Sequence, residues 1–349
     1  MAEARKTDTT APVATFVLLA LVGLLYVKWL PYLDRAAMAA SRHSIGASIL
    51  TGGADRAPGP SWAAALAYAA AYGKAIWRAM VLGLLLGSGV QALLPADWVN
   101  RALGRRAFGS ALAGGLLALP GMMCTCCAAP VVAGLRRQRA SAGAAMAFWL
   151  GNSVLNPATL VFMGFVLGWR WTALRLALGV PMVFGLGYLA NRMTPEDEAN
   201  EAAAPLAAAA AAPQEGPFRR WLRLLGRMTL QLLPEYVVLV LLLGAARAWL
   251  FPTIGPQVGD QLGWIVAFAA AGTLFVIPTA GEVPIIQAMR ALGVGAGPLG
   301  ALLMTLPPIS LPSLAMLARV FPARVLAAIT VAVILFGVAG GALAMALGF

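Results

Sequence analysis

The chain has 349 residues, of which 61% are hydrophobic and only 11% are charged, and its formal net charge is +12 at pH 7. Soluble domains carry about 25% charged residues, so this composition predicts an integral membrane protein. No basic run is interleaved with aromatic residues, and the arginines lie in short segments between apolar stretches. We therefore interpret the arginines as loop residues that set the orientation of the helices in the membrane. We expect no nucleic-acid partner.

Seven apolar stretches are long enough to cross a bilayer, and each is predicted to be a transmembrane helix. They cover residues 14–33, 75–94, 143–168, 171–191, 232–251, 297–317 and 325–347. The segment before the first stretch lacks the layout of a cleaved signal peptide, so we expect that helix to be retained. Residues 1–60 thus form an N-terminal transmembrane helix and the loop after it.

Two further apolar stretches, residues 107–135 and 262–290, are interrupted near their middle. The interrupting residues are Pro120, Gly121, Cys124, Thr125 and Pro130 in the first stretch, and Pro278, Thr279, Gly281, Glu282 and Pro284 in the second. Backbone groups freed at such breaks must be satisfied inside the protein or along a cavity. We therefore predict two broken or re-entrant helical hairpins.

The two interrupted stretches also resemble each other. Setting Pro130 against Pro284 aligns Thr125 with Thr279 at the same offset. This indicates an internal duplication, with membrane repeats at 61–193 and 218–349 joined by an acidic, alanine-rich cytoplasmic linker at 194–217. The predicted fold is an all-α polytopic membrane protein in which each repeat has one broken hairpin and about three transmembrane helices.

Arginine positions predict the orientation in the membrane. If each hairpin returns to the side from which it enters, most arginines share one face, which the positive-inside rule makes cytoplasmic. A minority lies on the opposite face, namely Arg35, Arg42, Arg170, Arg175 and Arg290. Each half then has an odd number of crossings, so the second repeat is inverted. Inverted repeats with discontinuous helices are typical of transporters, and the cell inner membrane is the expected location.

All three cysteines lie within one short segment of the first break, Cys124, Cys126 and Cys127, directly after Met122 and Met123. Near neighbours make a strained disulfide, so we expect thiols. Thiolates and thioethers favour Cu(I), zinc and other thiophilic species, and trivalent arsenic compounds also bind thiolates. The pattern predicts a binding site for a small thiophilic solute, or a metal site if that solute is a soft metal; inert buried cysteines are the alternative.

Polar residues near the breaks are further site candidates. An ionisable group at membrane depth is costly unless it is paired or solvated, so Glu282 is either a proton-coupling group or a hydrogen-bonding partner for freed amides. Asn152 and Asn156 share a helix face, where they either line the cavity or cap the helix broken at Pro157. The duplication places Ser310 opposite them.

Enzyme features are absent from the sequence. The single histidine, His43, is far in sequence from the cysteines, and no phosphate-binding GxxxxGK[ST] loop is present. We expect no enzyme and no cofactor, with transport driven by an ion gradient, a partner or the solute gradient. Three alternatives stay open: a soft-metal permease, a membrane thiol redox protein that uses the CTCC cluster, and a structural membrane protein. Proton coupling and homo-oligomerisation are also open.

Two long strings carry a family resemblance: CTCCAAPVVAGLRRQRASAGAAMAFWLGNSVLNPATLVF and PTAGEVPIIQAMRALGVGAGPLGALLMTLPPISLPSLAML. They resemble the paired signatures of the predicted permease family that includes the ArsP-type organoarsenical efflux permeases. The resemblance covers most of residues 62–347 and omits the first helix and the linker. In the second hairpin the family commonly has a polar or cysteine residue, where this chain has TAGEVP.

The resemblance implies export of trivalent organoarsenicals such as methylarsenite, with cysteines of the first hairpin as ligands. Together with the residue patterns it predicts a permease that works by alternating access. The predicted substrate-binding residues are Cys124, Cys126, Cys127, Met123, Asn152, Asn156, Glu282, Thr279 and Ser310.

Overall fold

The computed structural model describes residues 10–52, 57–194 and 216–349. Except for its end residues, the predicted linker at 194–217 lies outside this range, so the expectation of a flexible linker stays a prediction. Within the described ranges every regular element is a helix. The predicted all-helical fold is therefore confirmed.

Five helices are long and apolar enough to span a membrane. The first, Thr10–Arg42, consists of α1 (Thr10–Leu24), a π-helical turn (Leu25–Trp29) and α2 (Leu30–Arg42). The other four are α3 (Trp62–Leu93), α9 (Trp169–Met193), α10 (Pro217–Leu250) and α15 (Ala323–Ala346). These helices establish a multi-pass membrane protein.

Shorter helices occupy the two predicted hairpins. The first hairpin, which follows the short α4 (Ala96–Leu103), is formed by α5 (Phe108–Ala118) and α6 (Thr125–Arg137). The second is formed by α11 (Leu262–Leu274) and α12 (Glu282–Ala291). Both hairpins are broken, as predicted, but Pro130 and Pro284 lie inside helices rather than in the breaks. Pro284 lies in the first helical turn, where an amide N–H has no partner to lose, whereas Pro130 leaves the carbonyl of Cys126 without its helical hydrogen bond.

Two stretches predicted to cross the membrane are also broken. The break at Pro157 in the first was expected, whereas the continuous span predicted for the second was wrong. Residues 143–168 contain α7 (Ala142–Val154) and α8 (Pro157–Val166), and residues 297–317 contain α13 (Ala296–Thr305) and α14 (Leu311–Leu317). Pro157 begins α8, and Pro307 and Pro308 lie between α13 and α14. Proline cannot donate to the preceding turn and clashes with it, which ends each first helix.

The same order of elements occurs twice along the chain. A long helix, a broken hairpin, a second broken pair and another long helix appear as α3 to α9, with α4 as an addition, and again as α10 to α15. Each hairpin contacts the opposite half, because α6 packs against α14 and α12 packs against α8. The breaks of both halves consequently meet in the protein interior.

Close helix packing holds the cysteine-bearing helix in place. A Cβ atom added at Gly83 of α3 would lie 2.2 Å from the carbonyl oxygen of Cys127, and one at Gly87 would lie 2.4 Å from that of Pro130. Small residues let membrane helices approach at backbone distance. The glycine pair therefore fixes α6 directly against α3.

Candidate functional site

The first break ends at a pair of thiols. Cys124 is the N-cap residue of α6, and its Sγ lies 3.1 Å from the Sγ of Cys127, one turn further along the helix. Both cysteines are buried and free. Residues three apart share a helix face, so the start of a regular helix directly after the break brings these two sulfurs together.

The third cysteine points in another direction. The Sγ of Cys126 lies 3.5 Å from the Ser310 hydroxyl and 3.9 Å from the Tyr72 hydroxyl. Tyr236 donates a hydrogen bond of 2.8 Å to Tyr72, so hydroxyl groups from both halves surround this sulfur. No group of three or more His, Cys, Asp or Glu side chains among the described residues is arranged to hold a metal ion. Of the three sulfurs predicted as one donor set, those of Cys124 and Cys127 thus form a pair, and that of Cys126 contacts hydroxyl groups instead.

Residues from both hairpins line a small cavity between the breaks. Its volume is about 10 Å³, which is room for roughly one water molecule. Four of the predicted site residues line it, Met123, Cys124, Thr279 and Glu282. The structure therefore brings the first break and the cysteine-free second break to one point.

Asn152 and Asn156 make local contacts. The Oδ1 of Asn152 accepts a hydrogen bond of 3.3 Å from the backbone N–H of Met123, and its Nδ2 donates to the Phe148 carbonyl. The Oδ1 of Asn156 accepts from the backbone N–H of Thr159 at 3.2 Å and caps α8. The buried Nδ2 of Asn156 has no hydrogen-bond partner. Of the two interpretations left open by the sequence, these contacts support helix capping and anchoring of the first break.

Glu282 forms a buried ion pair that the sequence analysis missed. Its Oε1 lies 2.9 Å from the Nη1 of Arg175, and both side chains are almost fully buried. The Arg175 guanidinium also donates to the carbonyls of Ser153, Val154 and Leu303 at 2.7, 2.9 and 3.1 Å. Arg175 had been assigned to a face of the membrane; that assignment was wrong, because the guanidinium satisfies carbonyls freed at the ends of α7 and α13.

Lys28 is the second site residue that sequence reasoning missed. Although it belongs to the N-terminal helix, only 3% of it is exposed, and its Nζ donates to the hydroxyls of Thr279 at 3.3 Å and Tyr32 at 3.4 Å. A lone lysine in the apolar run VLLALVGLLYVKWL is a signal that could have identified it, since ionisable residues at membrane depth are commonly functional.

The π-helical turn that carries Lys28 touches both breaks. The indole N–H of Trp29 donates to the Pro120 carbonyl at 3.2 Å in the first break, while Lys28 contacts Thr279 in the second. Single π-helical turns within α-helices are frequent at functional sites. The N-terminal helix is therefore part of the site.

Each hairpin break also holds one non-glycine residue in the left-handed backbone region. Met122 has a φ of 46° and Ala280 a φ of 64°, and the two belong to one buried cluster with Tyr32 and Phe162. Such conformations cost about 1–3 kcal/mol each and cluster at ligand sites and switch regions. Two of the four described non-glycine residues with positive φ thus lie where the two breaks meet.

Helices broken inside the membrane, with buried charges and thiols around the point where the breaks meet, define this molecule as a transporter-like membrane protein. A family model described as "Predicted permease" matches residues 61–346, and the chain belongs to that permease family. It is 52% identical over 332 residues to the UPF0718 protein YraQ of Escherichia coli (strain K12), a match that covers 95% of this chain and 94% of that protein. No solved structure matches the chain. The family resemblance seen in the sequence is confirmed.

Proposed function

We propose that this permease moves a small thiophilic solute, a trivalent organoarsenical such as methylarsenite, across the inner membrane by alternating access. The observation that carries the proposal is the Cys124–Cys127 pair, with its sulfurs 3.1 Å apart where the two breaks meet. Export is the direction implied by the family resemblance.

The number of available sulfurs matches the chemistry of a monosubstituted arsenical. Methylarsenite has one methyl group and two hydroxyl groups on arsenic. Two thiols displace the two hydroxyl groups as two water molecules, forming two As–S bonds, and the reverse reaction releases the solute. Inorganic arsenite has three exchangeable hydroxyl groups, and its third position needs the sulfur of Cys126, which faces Ser310 instead. The pair therefore favours methylarsenite over arsenite.

The surroundings of the pair support alternating access. Each half supplies a broken hairpin whose second helix packs on the other half, as expected if the two halves are an inverted repeat. Glu282 was predicted either to couple protons or to play a structural role. Its ion pair with Arg175 supports the structural role, because the same guanidinium also binds the carbonyls at the ends of α7 and α13.

A thiol redox function is the second proposal, favoured by the same pair. Cys124 and Cys127 have the spacing C-x-x-C at the start of a helix, which is the spacing of dithiol redox motifs. A redox protein would cycle this pair between dithiol and disulfide under mild oxidant. A transporter would bind solute only with both thiols reduced.

The deciding experiment measures methylarsenite accumulation in everted and right-side-out vesicles, with and without a proton gradient. Cys124→Ser and Cys127→Ser should each abolish accumulation, because one remaining As–S bond exchanges too readily to hold the solute. Cys126→Ser is the matched control, and it should retain most of the activity. Arsenite and Cu(I) test the alternative solutes.

Three outcomes contradict the proposal. Accumulation that is unchanged in the Cys124→Ser variant excludes the thiol pair as ligand. Equal losses in all three serine variants exclude the specific role of the pair. Transport that requires the disulfide form favours the redox proposal.

A further inference from the structure

A large cavity lies directly beside the site. Its volume is about 840 Å³, and it is bounded by α2, by α3 on the side nearer Trp62, by the segment after α2 and by the second hairpin break. Five basic residues line it, Lys28, Arg35, Lys74, Arg78 and Arg247. None of the described residues that line this cavity is an aspartate or a glutamate. We call this cavity the cationic vestibule.

The basic side chains are distributed from the mouth of the vestibule to the site. Lys74 and Arg78 are exposed and lie one turn apart on α3, so they share a face. Arg247 is buried, its Nη1 contacts the carbonyl of Leu50 at 3.4 Å, and its Nε has no hydrogen-bond partner. Lys28 forms the inner wall, where it touches Thr279. Basic residues therefore line the vestibule as far as the second break, which Lys28 contacts.

Placing these cations around one cavity has a free-energy cost when no anion is bound there. Among the described residues, no carboxylate forms an ion pair with any of the five. A buried charge is expensive unless it is paired, and the hydrogen-bond acceptors of Lys28 among the described residues are two uncharged hydroxyls. A buried donor without a partner, such as the Nε of Arg247, also has a free-energy cost that an added hydrogen-bond acceptor would lower.

We propose that the cationic vestibule binds the anionic group of the transported solute, with Lys28 as its innermost contact. The solute class is then an organic molecule with a thiol-reactive centre at one end and a carboxylate or similar anion at the other. The assignment of a thiol-reactive end to the solute rests on the proposed function, whereas the recognition of an anion is argued from the vestibule alone. A cleft whose described lining residues carry charges of one sign also raises the local concentration of oppositely charged ligand.

Two probes that differ by one carboxylate group test this proposal. Phenylarsonous acid and 4-carboxyphenylarsonous acid share the trivalent arsenic centre, and only the second carries a carboxylate. Equilibrium binding is measured on the full-length protein in nanodiscs of zwitterionic lipid. The wild type should bind the carboxylate probe at least about tenfold more tightly, since hydrogen bonds to charged groups contribute that much. The preference should fall as the salt concentration rises.

Variants test whether the preference for the carboxylate probe arises in the vestibule. Lys28→Met should remove this preference, and Lys28→Arg should retain it. If Lys28→Met does not fold, the exposed pair Lys74→Gln/Arg78→Gln should still reduce it. Arg101→Gln/Arg105→Gln is the matched control, because it removes two exposed cations outside the vestibule and should change nothing.

The outcomes separate this proposal from the proposed function. Equal affinity of the wild type for both probes overturns the vestibule proposal, as does an equal loss of preference in the control variant. Loss of preference on addition of phosphatidylglycerol to the nanodiscs assigns the cations to lipid headgroups and also overturns it. If Cys124→Ser binds both probes like the wild type while the charge preference persists, the cysteine site is wrong and the vestibule stands.

Discussion

The buried pair of Arg175 and Glu282 leads to an asymmetric prediction about stability. Arg175→Met removes the ion pair and three hydrogen bonds to backbone carbonyls at the ends of α7 and α13. It also leaves the Glu282 carboxylate buried without a counter-charge, and breaking a buried pair in this way costs about 3–5 kcal/mol. Glu282→Gln removes one charged hydrogen bond, and Arg175 keeps its three carbonyl acceptors. That change should cost about 1.5–3 kcal/mol.

The double variant Arg175→Met/Glu282→Gln should cost less than the sum of the two single changes. Once the carboxylate is gone, removal of Arg175 no longer leaves a buried charge unpaired. Residues in direct contact typically show coupling energies of about 0.5–3 kcal/mol, and this pair should lie in the upper half of that range.

The assay is unfolding of the purified protein in mixed micelles of mild detergent and sodium dodecyl sulfate, followed by tryptophan fluorescence. Four proteins give the free energies of unfolding for the cycle: the wild type, the two single variants and the double variant. The reasoning is refuted if the losses of unfolding free energy in the two single variants sum to the loss in the double variant within about 0.5 kcal/mol. Such additivity would show that the two side chains act independently. A greater cost for Glu282→Gln than for Arg175→Met would refute it as well.

The same variants test whether Glu282 carries protons. If the role of Glu282 is structural, Glu282→Gln vesicles should still respond to a proton gradient, at a rate lowered in proportion to the folded fraction. Loss of the gradient response in a fully folded Glu282→Gln protein would instead show that the carboxylate is protonated during the cycle.

Two further predictions concern the framework of the first break. Gly83→Ala places a Cβ 2.2 Å from the Cys127 carbonyl oxygen, so α6 must shift and methylarsenite binding should weaken about tenfold or more. The Cβ of the control variant Gly73→Ala meets nothing within 4 Å, so this variant should bind methylarsenite normally. Equal binding by both variants would contradict this packing. Asn152→Ala removes the acceptor for the Met123 amide and should lower the free energy of unfolding by about 1–3 kcal/mol. Maleimide labelling of the thiols should then be faster, and an unchanged rate would show that Asn152 does not hold the break.

The parts of the fold that the sequence predicts follow from local backbone chemistry. Proline and glycine at Pro120 and Gly121 free backbone groups whatever surrounds them, so the hairpin break is visible in the sequence alone. The helix break at Pro157 was also visible in the sequence, and Asn156 caps the helix that begins there. The break at Pro307 and Pro308 was missed, because its flanking residues are apolar enough to form one continuous span.

The site could be predicted only in part, because a cation in a membrane protein can either set the topology from a loop or bind a partner inside the protein. Counting arginines for topology treats every positive charge as a loop residue, and Arg175 and Lys28 are exceptions that lie inside the protein. Their partners, Glu282 and Thr279, are 107 and 251 residues away in sequence. No spacing rule links such positions, and only the packing of both halves brings them together.

The location of Lys28 changes the part that the N-terminal helix plays. Along an apolar stretch of 18 residues in this helix only 6% of the residues are buried, so most of its surface faces away from the protein. Its π-helical turn nevertheless contacts the first break through Trp29 and the second through Lys28. Any movement of one break relative to the other must stretch or exchange these contacts. The helix therefore links the two breaks mechanically, although it lies outside residues 61–346 that define the family match.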